Sequence, residues 1–309
     1  MKTTCIKYGF LLIAVLSLTC CAKSDELQSG ILEVESVKEI PSYILPKSVI
    51  TGESIPDDEA AKGIGLFLTE TDEDRSPYSG SGNGYTNVKY DYNVYRQNWT
   101  SGSPIRLKEE MGYLYGYFPY DGSSSDLRAV PVESSLGGSD YLYAEEQLVN
   151  IREKLKINIT MKHALARLHL TIKKSADYNG EGILSKITLK SEALDSNGKL
   201  NLTSGVITAS KAQGETGVVE FETDGKSIPE TGSLYDILLV PADNADGKKA
   251  VEIILSIDGE QIGVNLKDEN GFTIQSGKQY NATLVLSGSG IGAAAAILTT
   301  ETEEGPINF

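Results

Sequence analysis

The chain has 309 residues, a formal net charge of −15 at pH 7, 40% hydrophobic residues, 16 tyrosines, one tryptophan, two histidines and three cysteines. An acidic surface with no basic cluster to offset it repels phosphate backbones, so no nucleic acid partner is expected, and the apolar content suits a folded protein rather than a disordered one. Cys5, Cys20 and Cys21 all fall at the N-terminus, which removes disulfides, thiolate zinc sites and cysteine nucleophiles from the rest of the chain.

The chain opens with the parts of an export signal. Lys2 and Lys7 form a positive region, Tyr8 to Leu18 an apolar one, and Leu18-Thr19-Cys20-Cys21 reads as a lipobox. The apolar stretch is about half of the roughly 20 residues that span a bilayer, so it reads as a removed signal; a single membrane helix is the other reading. Cys21 is the expected lipidation site and Cys20 the alternative. Ala22-Lys23-Ser24-Asp25-Glu26 then begins a polar tether.

From there on the apolar segments are short, alternate with a period of two and end at turn residues. Ile64 to Leu68, Gly112 to Phe118, Leu165 to Ile172, Ile183 to Leu189, Ile237 to Val240, Val251 to Ile257 and Tyr280 to Leu286 are predicted strands. Asn-Gly or Asp-Gly pairs at Asn83, Asp121, Asn197, Asp224, Asp246, Asp258 and Asn270 supply hairpin turns between them. Asp57 to Lys62 reads as one helical turn and Ala144 to Lys154 as a short helix with mixed faces. Neither can carry a crossover between parallel strands. The fold class is therefore all-β, built as antiparallel β-sandwiches. Asp121 to Asp140, polar and Gly/Ser-rich, reads as a long loop, and the division between two domains falls near residue 155.

Sites of chemistry are sparse. Gly80-Ser81-Gly82-Asn83-Gly84 lacks the Lys-Ser/Thr and helix of a phosphate-binding loop. Asp72-Glu73-Asp74 and Asp243-Asn244-Ala245-Asp246-Gly247 read as solvated turns rather than calcium loops. No Gly-x-Ser-x-Gly elbow is present, and His163 and His169 share one short segment. In that segment His163, Leu165, Arg167 and His169 fall on one side and Ala164, Ala166, Leu168 and Leu170 on the other, with His163 in a structural, hydrogen-bonding role. No catalytic residue, metal site or cofactor is expected.

Several segments, in order, resemble the fimbrillins, the pilin-like lipoproteins of type V pili of Gram-negative anaerobes. After the lipobox come a first strand at Ile31 to Ile40, a basic residue at Lys47, and Lys62-Gly63-Ile64-Gly65-Leu66-Phe67. Trp99, Pro104-Ile105-Arg106-Leu107 and Gly116-Tyr117-Phe118-Pro119-Tyr120 follow. Asp140-Tyr141-Leu142-Tyr143-Ala144, Lys162 to Leu168 and Gly277-Lys278-Gln279-Tyr280 complete the series. The tail departs from the pattern, with Thr299-Thr300 where many relatives have a tryptophan.

The resemblance implies two transthyretin-like β-sandwich domains and assembly by donor-strand exchange. In such proteins a lipidated precursor reaches the outer membrane, an Arg- or Lys-specific protease removes the first strand, and another pilin subunit fills the groove. The implied organisation is a signal at 1–20, a tether and removable first strand at 21–47, an N-terminal sandwich at 48–155 and a C-terminal sandwich at 156–309. The matching cut is Lys47-Ser48, with Lys38 second. Leu32, Val34 and Ile40 can face inward while Glu33, Glu35 and Glu39 face water, so the first strand can complete a sandwich and yet be replaced. A donor is offered by the tail, where Ile291, Ala293, Ala295 and Ile297 share one side; an ordinary last strand and an alanine-rich helix are the other readings of it. A stalk, a lipid-retaining anchor and a tip adhesin with a host receptor all fit. The rival from another class is a surface glycan binder with Tyr113, Tyr115, Tyr117 and Trp99 as a sugar platform.

Overall fold

The computed structural model describes residues 30–39, 62–70, 75–78, 84–93, 95–96, 98–108, 111–152, 155–242, 250–266, 274–288 and 290–292. The strands of the first half are β1 (Gly30–Ile31), β2 (Glu33–Glu39), β3 (Ile64–Thr69), β4 (Tyr85–Asn93), β5 (Asn98–Thr100), β6 (Arg106–Leu107), β7 (Met111–Phe118), β8 (Val130–Glu133), β9 (Ser135–Leu136), β10 (Leu142–Asn150) and β11 (Lys156–His163). The second half continues with β12 (Ala166–Lys174), β13 (Leu184–Ser191), β14 (Leu194–Asp195), β15 (Asn197–Leu200), β16 (Ile207–Ala209), β17 (Gly217–Glu222) and β18 (Ser233–Pro241). It ends with β19 (Val251–Ile257), β20 (Glu260–Leu266), β21 (Gln279–Ser287) and β22 (Gly290–Gly292). The architecture is all-β and sandwich-like, with sheets that are mainly antiparallel, and no helix occurs among the described residues.

The sheets follow the alternation in the sequence. In β19 and β21 every second residue is buried, so one face of each strand is apolar and the other wet. β10, β11, β2, β5, β4, β3 and β7 close into a barrel around Leu32, Val34, Ile64, Leu66, Leu68, Trp99, Leu114 and Ile159. A second core lies between the sheet β14-β18-β12-β21-β22 and the sheet β17-β13-β19-β20, centred on Leu168, Leu170, Ile187, Leu189, Ile253, Leu255 and Leu284. A third cluster joins the halves: Phe67, Tyr115 and Tyr117 from the barrel meet Val130, Leu165, Leu200, Leu238 and Val240. The chain leaves the barrel at His163 and enters the next sheet at Ala166, with Ala164 and Leu165 buried at the crossing.

Several local expectations are corrected. Ala144 to Asn150 of the expected helix is strand: β10 runs through it, paired with β7 along its length and with β11 at Ala144. A register shift between Ala144 and Gln147 breaks its alternation, which is what made the segment look helical. The loop expected from Asp121 to Asp140 contains β8 and β9, which pair with β15 and β18. β8 is only four residues long and carries Pro131, which a strand at the edge of a sheet tolerates. Asp258-Gly259 is a two-residue hairpin turn with φ of 51° and 85°. Asn197-Gly198, by contrast, begins strand β15, and a Cβ on Gly198 would lie 2.6 Å from Ile207 Cγ2, so there glycine serves close packing.

Among the described residues two pairings are parallel, β2 with β11 and β12 with β21. The chain between the partners of each pair passes through other strands of the fold.

Candidate functional site

The first strand is the feature that positions a site. β2 is a strand of the barrel and β1, just before it, pairs with β6; residues 40–61 lie outside the described residues. β1 pairs with β6, Leu32 N–H donates to the Ile105 carbonyl at 2.9 Å, and Glu33 N–H donates to the Leu155 carbonyl at 2.8 Å. β2 then runs parallel to β11, from Glu33 opposite Lys156 to Glu39 opposite Met161. On its other side, among the described residues, β2 pairs with β5 at Val34 opposite Trp99 alone. The seam is a cleft of about 500 Å³ lined by Leu32, Val34, Tyr90, Asn98, Trp99 and Pro104 among others. Asn98 Oδ1, in that lining, is buried without a hydrogen-bond partner.

Inward, β2 contributes apolar side chains to the barrel core: Leu32 and Val34 are 1% exposed and Val37 is 2% exposed. Burial of such side chains stabilises by about 1.5 to 3 kcal/mol each. Leu32 and Val34 face inward as expected, and Val37 joins them. Between Val34 and Ser36 the register slips by one residue, so the inward phase passes from Val34 to Val37, and Ile40 lies outside the described residues. Outward, Lys156 Nζ stands 3.5 Å from Glu33 and 3.3 Å from Glu35, and Ser36 Oγ donates to Asn158 Oδ1. The hydrogen bond to Glu35 and the charge of Glu33 raise the pKa of the Lys156 ammonium.

A row of phenols fixes the rim of the groove. Tyr90, Tyr85 and Tyr78 hydroxyls accept from the backbone N–H of Ile105, Arg106 and Lys108 at 3.0, 2.9 and 2.9 Å. They hold the segment on which β1 lies. Burial pushes the Tyr90 phenol up to about 12, since its ionised form would lose water without gaining a cation. Neither this row nor Lys156 stands out in the sequence; the alternation of Lys156-Ile157-Asn158-Ile159 is the signal that could have placed Lys156 on the outer face.

The aromatic residues considered for a sugar platform do not form one. Tyr115, Tyr117 and Trp99 are 0%, 1% and 4% exposed, and only Tyr113 is half-buried. Tyr115 donates to Glu146 beneath the Arg75 guanidinium, and Tyr117 accepts from Asp121 N–H at 3.0 Å. Tyr115 and Tyr117 are core between the halves of the molecule, and Trp99 is core of the barrel.

His163 is buried at the end of β11, paired through Nδ1 with the Asp140 carboxylate, the structural role expected of it. Arg167 and His169 do share a side of β12, where both reach Asp236: Arg167 Nη2 at 2.6 Å and His169 Nδ1 at 3.3 Å. His163 and Leu165 do not belong to that face, because the strand breaks between β11 and β12. Among the described residues no cluster of His, Cys, Asp or Glu has the makings of a metal site. Cys20, Cys21, Lys47, Ser48, Ala293, Ala295 and Ile297 lie outside the described residues, as do the acidic turns at 72–74 and 243–247. Lys38 sits on the backbone of β2. Ile291 sits on the backbone of β22, opposite Leu286 of β21.

Comparison with known proteins gives a consistent answer. A protein assigned to cell adhesion from Bacteroides uniformis superposes with a TM-score of 0.57 at 18% identity, over 85% of this chain and 96% of its own. Another assigned to cell adhesion, from Bacteroides ovatus, gives 0.56 at 15% identity, over 89% of this chain and 99% of its own. At such identities these likenesses speak for the fold. No curated protein matches the sequence. A family model described as fimbrillin-like matches residues 55–303. The chain belongs to the fimbrillin-like family, and with it to proteins of fimbrial role at the cell surface.

Proposed function

We propose that this protein is a structural, non-catalytic subunit of a cell-surface pilus, exported as a lipoprotein through Cys21 and polymerised by donor-strand exchange. The observation that carries the reading is the seating of the first strand. It fills three apolar positions of the barrel, yet along β2 its flank away from β11 is bridged at Val34 to Trp99, with the short β1–β6 pairing and the Leu32–Ile105 hydrogen bond ahead of it. Its loss would leave the backbone groups of β11 unpaired along Lys156 to Met161, an edge that recruits an extended segment. In this reading the lipid anchors the precursor to the outer membrane, a Lys- or Arg-specific protease cuts at Lys47-Ser48, and residues 48–155 and 156–309 act as the two domains of the mature subunit. The donor is the tail of a neighbouring pilin, with Ile291, Ala293, Ala295 and Ile297 facing into the groove. The fimbrillin-like family match supports assembly with other subunits.

Limited digestion with a Lys-specific protease tests the proposal. The expected product is trimmed near Lys47 and forms ladders of oligomers. A trimmed form that stays folded and monomeric at every concentration contradicts strand exchange for this chain.

A further inference from the structure

The groove and its occupant do not match in register. β11 alternates without a break: Ile157, Ile159 and Met161 are buried, while Lys156, Asn158 and Thr160 are exposed. β2 does not. Val34 lies opposite Ile157 and Ser36 opposite Asn158, so Glu35 is an extra residue against a single step of β11. Such a bulge leaves one residue outside the ladder and disrupts the pairing around it. The interruption therefore belongs to the plug and not to the edge that receives it.

We infer that the β11 edge is a binding site for a regular extended strand, running parallel to it with an apolar residue at every second position, and that such a strand binds there more tightly than the protein's own first strand. This rests on the strand-exchange reading above and adds a direction to it. Without Glu35 the segment reads Leu32-Glu33-Val34-Ser36-Val37, which places Val34 and Val37 against Ile157 and Ile159 with no slip and keeps Ser36 beside Asn158. The bulge thus makes the resident strand a weaker partner than the groove can accept, and exchange runs toward an unbroken newcomer.

The test uses the trimmed protein and two synthetic peptides, one with the sequence of residues 30–39 and one identical but lacking Glu35. The shortened peptide is expected to bind roughly three- to tenfold more tightly, the equivalent of about one recovered backbone hydrogen bond. Equal or weaker binding of the shortened peptide overturns the inference; weaker binding would mean that barrel curvature requires the bulge. Failure of both peptides to bind overturns strand exchange itself. Deleting Glu35 from the full chain gives a second measurement should the trimmed protein unfold. Displacement of the first strand by a competing peptide is then expected to slow by a similar factor, and unchanged or faster displacement contradicts the inference.

Discussion

Among the described residues are two parallel strand pairs that differ in how they are held. In the second sandwich β12 and β21 run together from Arg167 opposite Gln279 to Lys174 opposite Leu286 with no slip. β12 is secured on its other side by β18, from Ala166 opposite Leu239 to Ile172 opposite Ser233. In the barrel β2 runs along β11 with a bulge, and its far side touches β5 at one residue pair. Both arrangements bury their inward side chains almost completely, so hydrophobic burial does not distinguish them. Backbone pairing does. A strand laddered on both flanks opens only with the sheet, whereas one laddered on a single flank can leave by itself.

The largest effect expected from this difference is the response to a buried charge. Leu170→Asp, in the middle of β12, places an unpaired carboxylate in the core and is expected to cost more than about 4 kcal/mol, abolishing the folded protein. Val34→Asp is expected to expel only the first strand, leaving a circular dichroism spectrum close to that of the parent and rapid proteolysis confined to the N-terminal segment. Loss of the whole fold in the second variant would erase the distinction. Cavity variants sharpen it. Leu284→Ala and Leu32→Ala are each expected to cost about 2 to 5 kcal/mol locally, but only the first should lower the global unfolding midpoint by that amount. The second should appear mainly as faster release of the N-terminal segment.

Alkaline pH probes the phenol row at the groove rim. Tyr90 has an ordinary value of 10.0 raised to about 12 in the folded state, so its contribution is complete below about pH 10 and is lost as pH rises from there toward 12. Melting temperatures recorded between pH 8 and 12 should fall above pH 10. Tyr90→Phe should start lower, because the Ile105 N–H loses its acceptor, and should fall less steeply. The smallest effect is expected at Lys156, whose contacts with Glu33 and Glu35 are exposed. Lys156→Glu should speed release of the first strand by about twofold at physiological salt and by more at low ionic strength.

Much of this architecture was legible in the sequence, and the exceptions have physical causes. Strands such as Val251–Ile257 and Gln279–Ser287 announce themselves because a half-buried strand must alternate, and it does so whatever its neighbour. Which neighbour it takes, and in which direction, leaves no local trace, so the two parallel pairs were not anticipated. Bulges hid two further features. At Ala144 to Gln147 one turned a strand into an apparent helix, and at Glu35 another brought Val37, not in the expected set, to the inward side. The tyrosines at 113, 115 and 117 showed their shared face in the sequence, but that this face meets Val130 and Leu238 rather than solvent depends on the packing of the two halves. The rim bonds from Tyr78, Tyr85 and Tyr90 join residues distant in sequence and carry no motif.

Native-state hydrogen exchange, read by mass spectrometry on peptides covering residues 31–38 and 280–287, reports directly on whether the two parallel pairs open separately. The expectation is that amides of the first peptide exchange through a local opening, at low denaturant and independently of global unfolding, while those of the second exchange only when the domain unfolds. Identical protection of both, tracking global stability throughout, would contradict an exchangeable first strand.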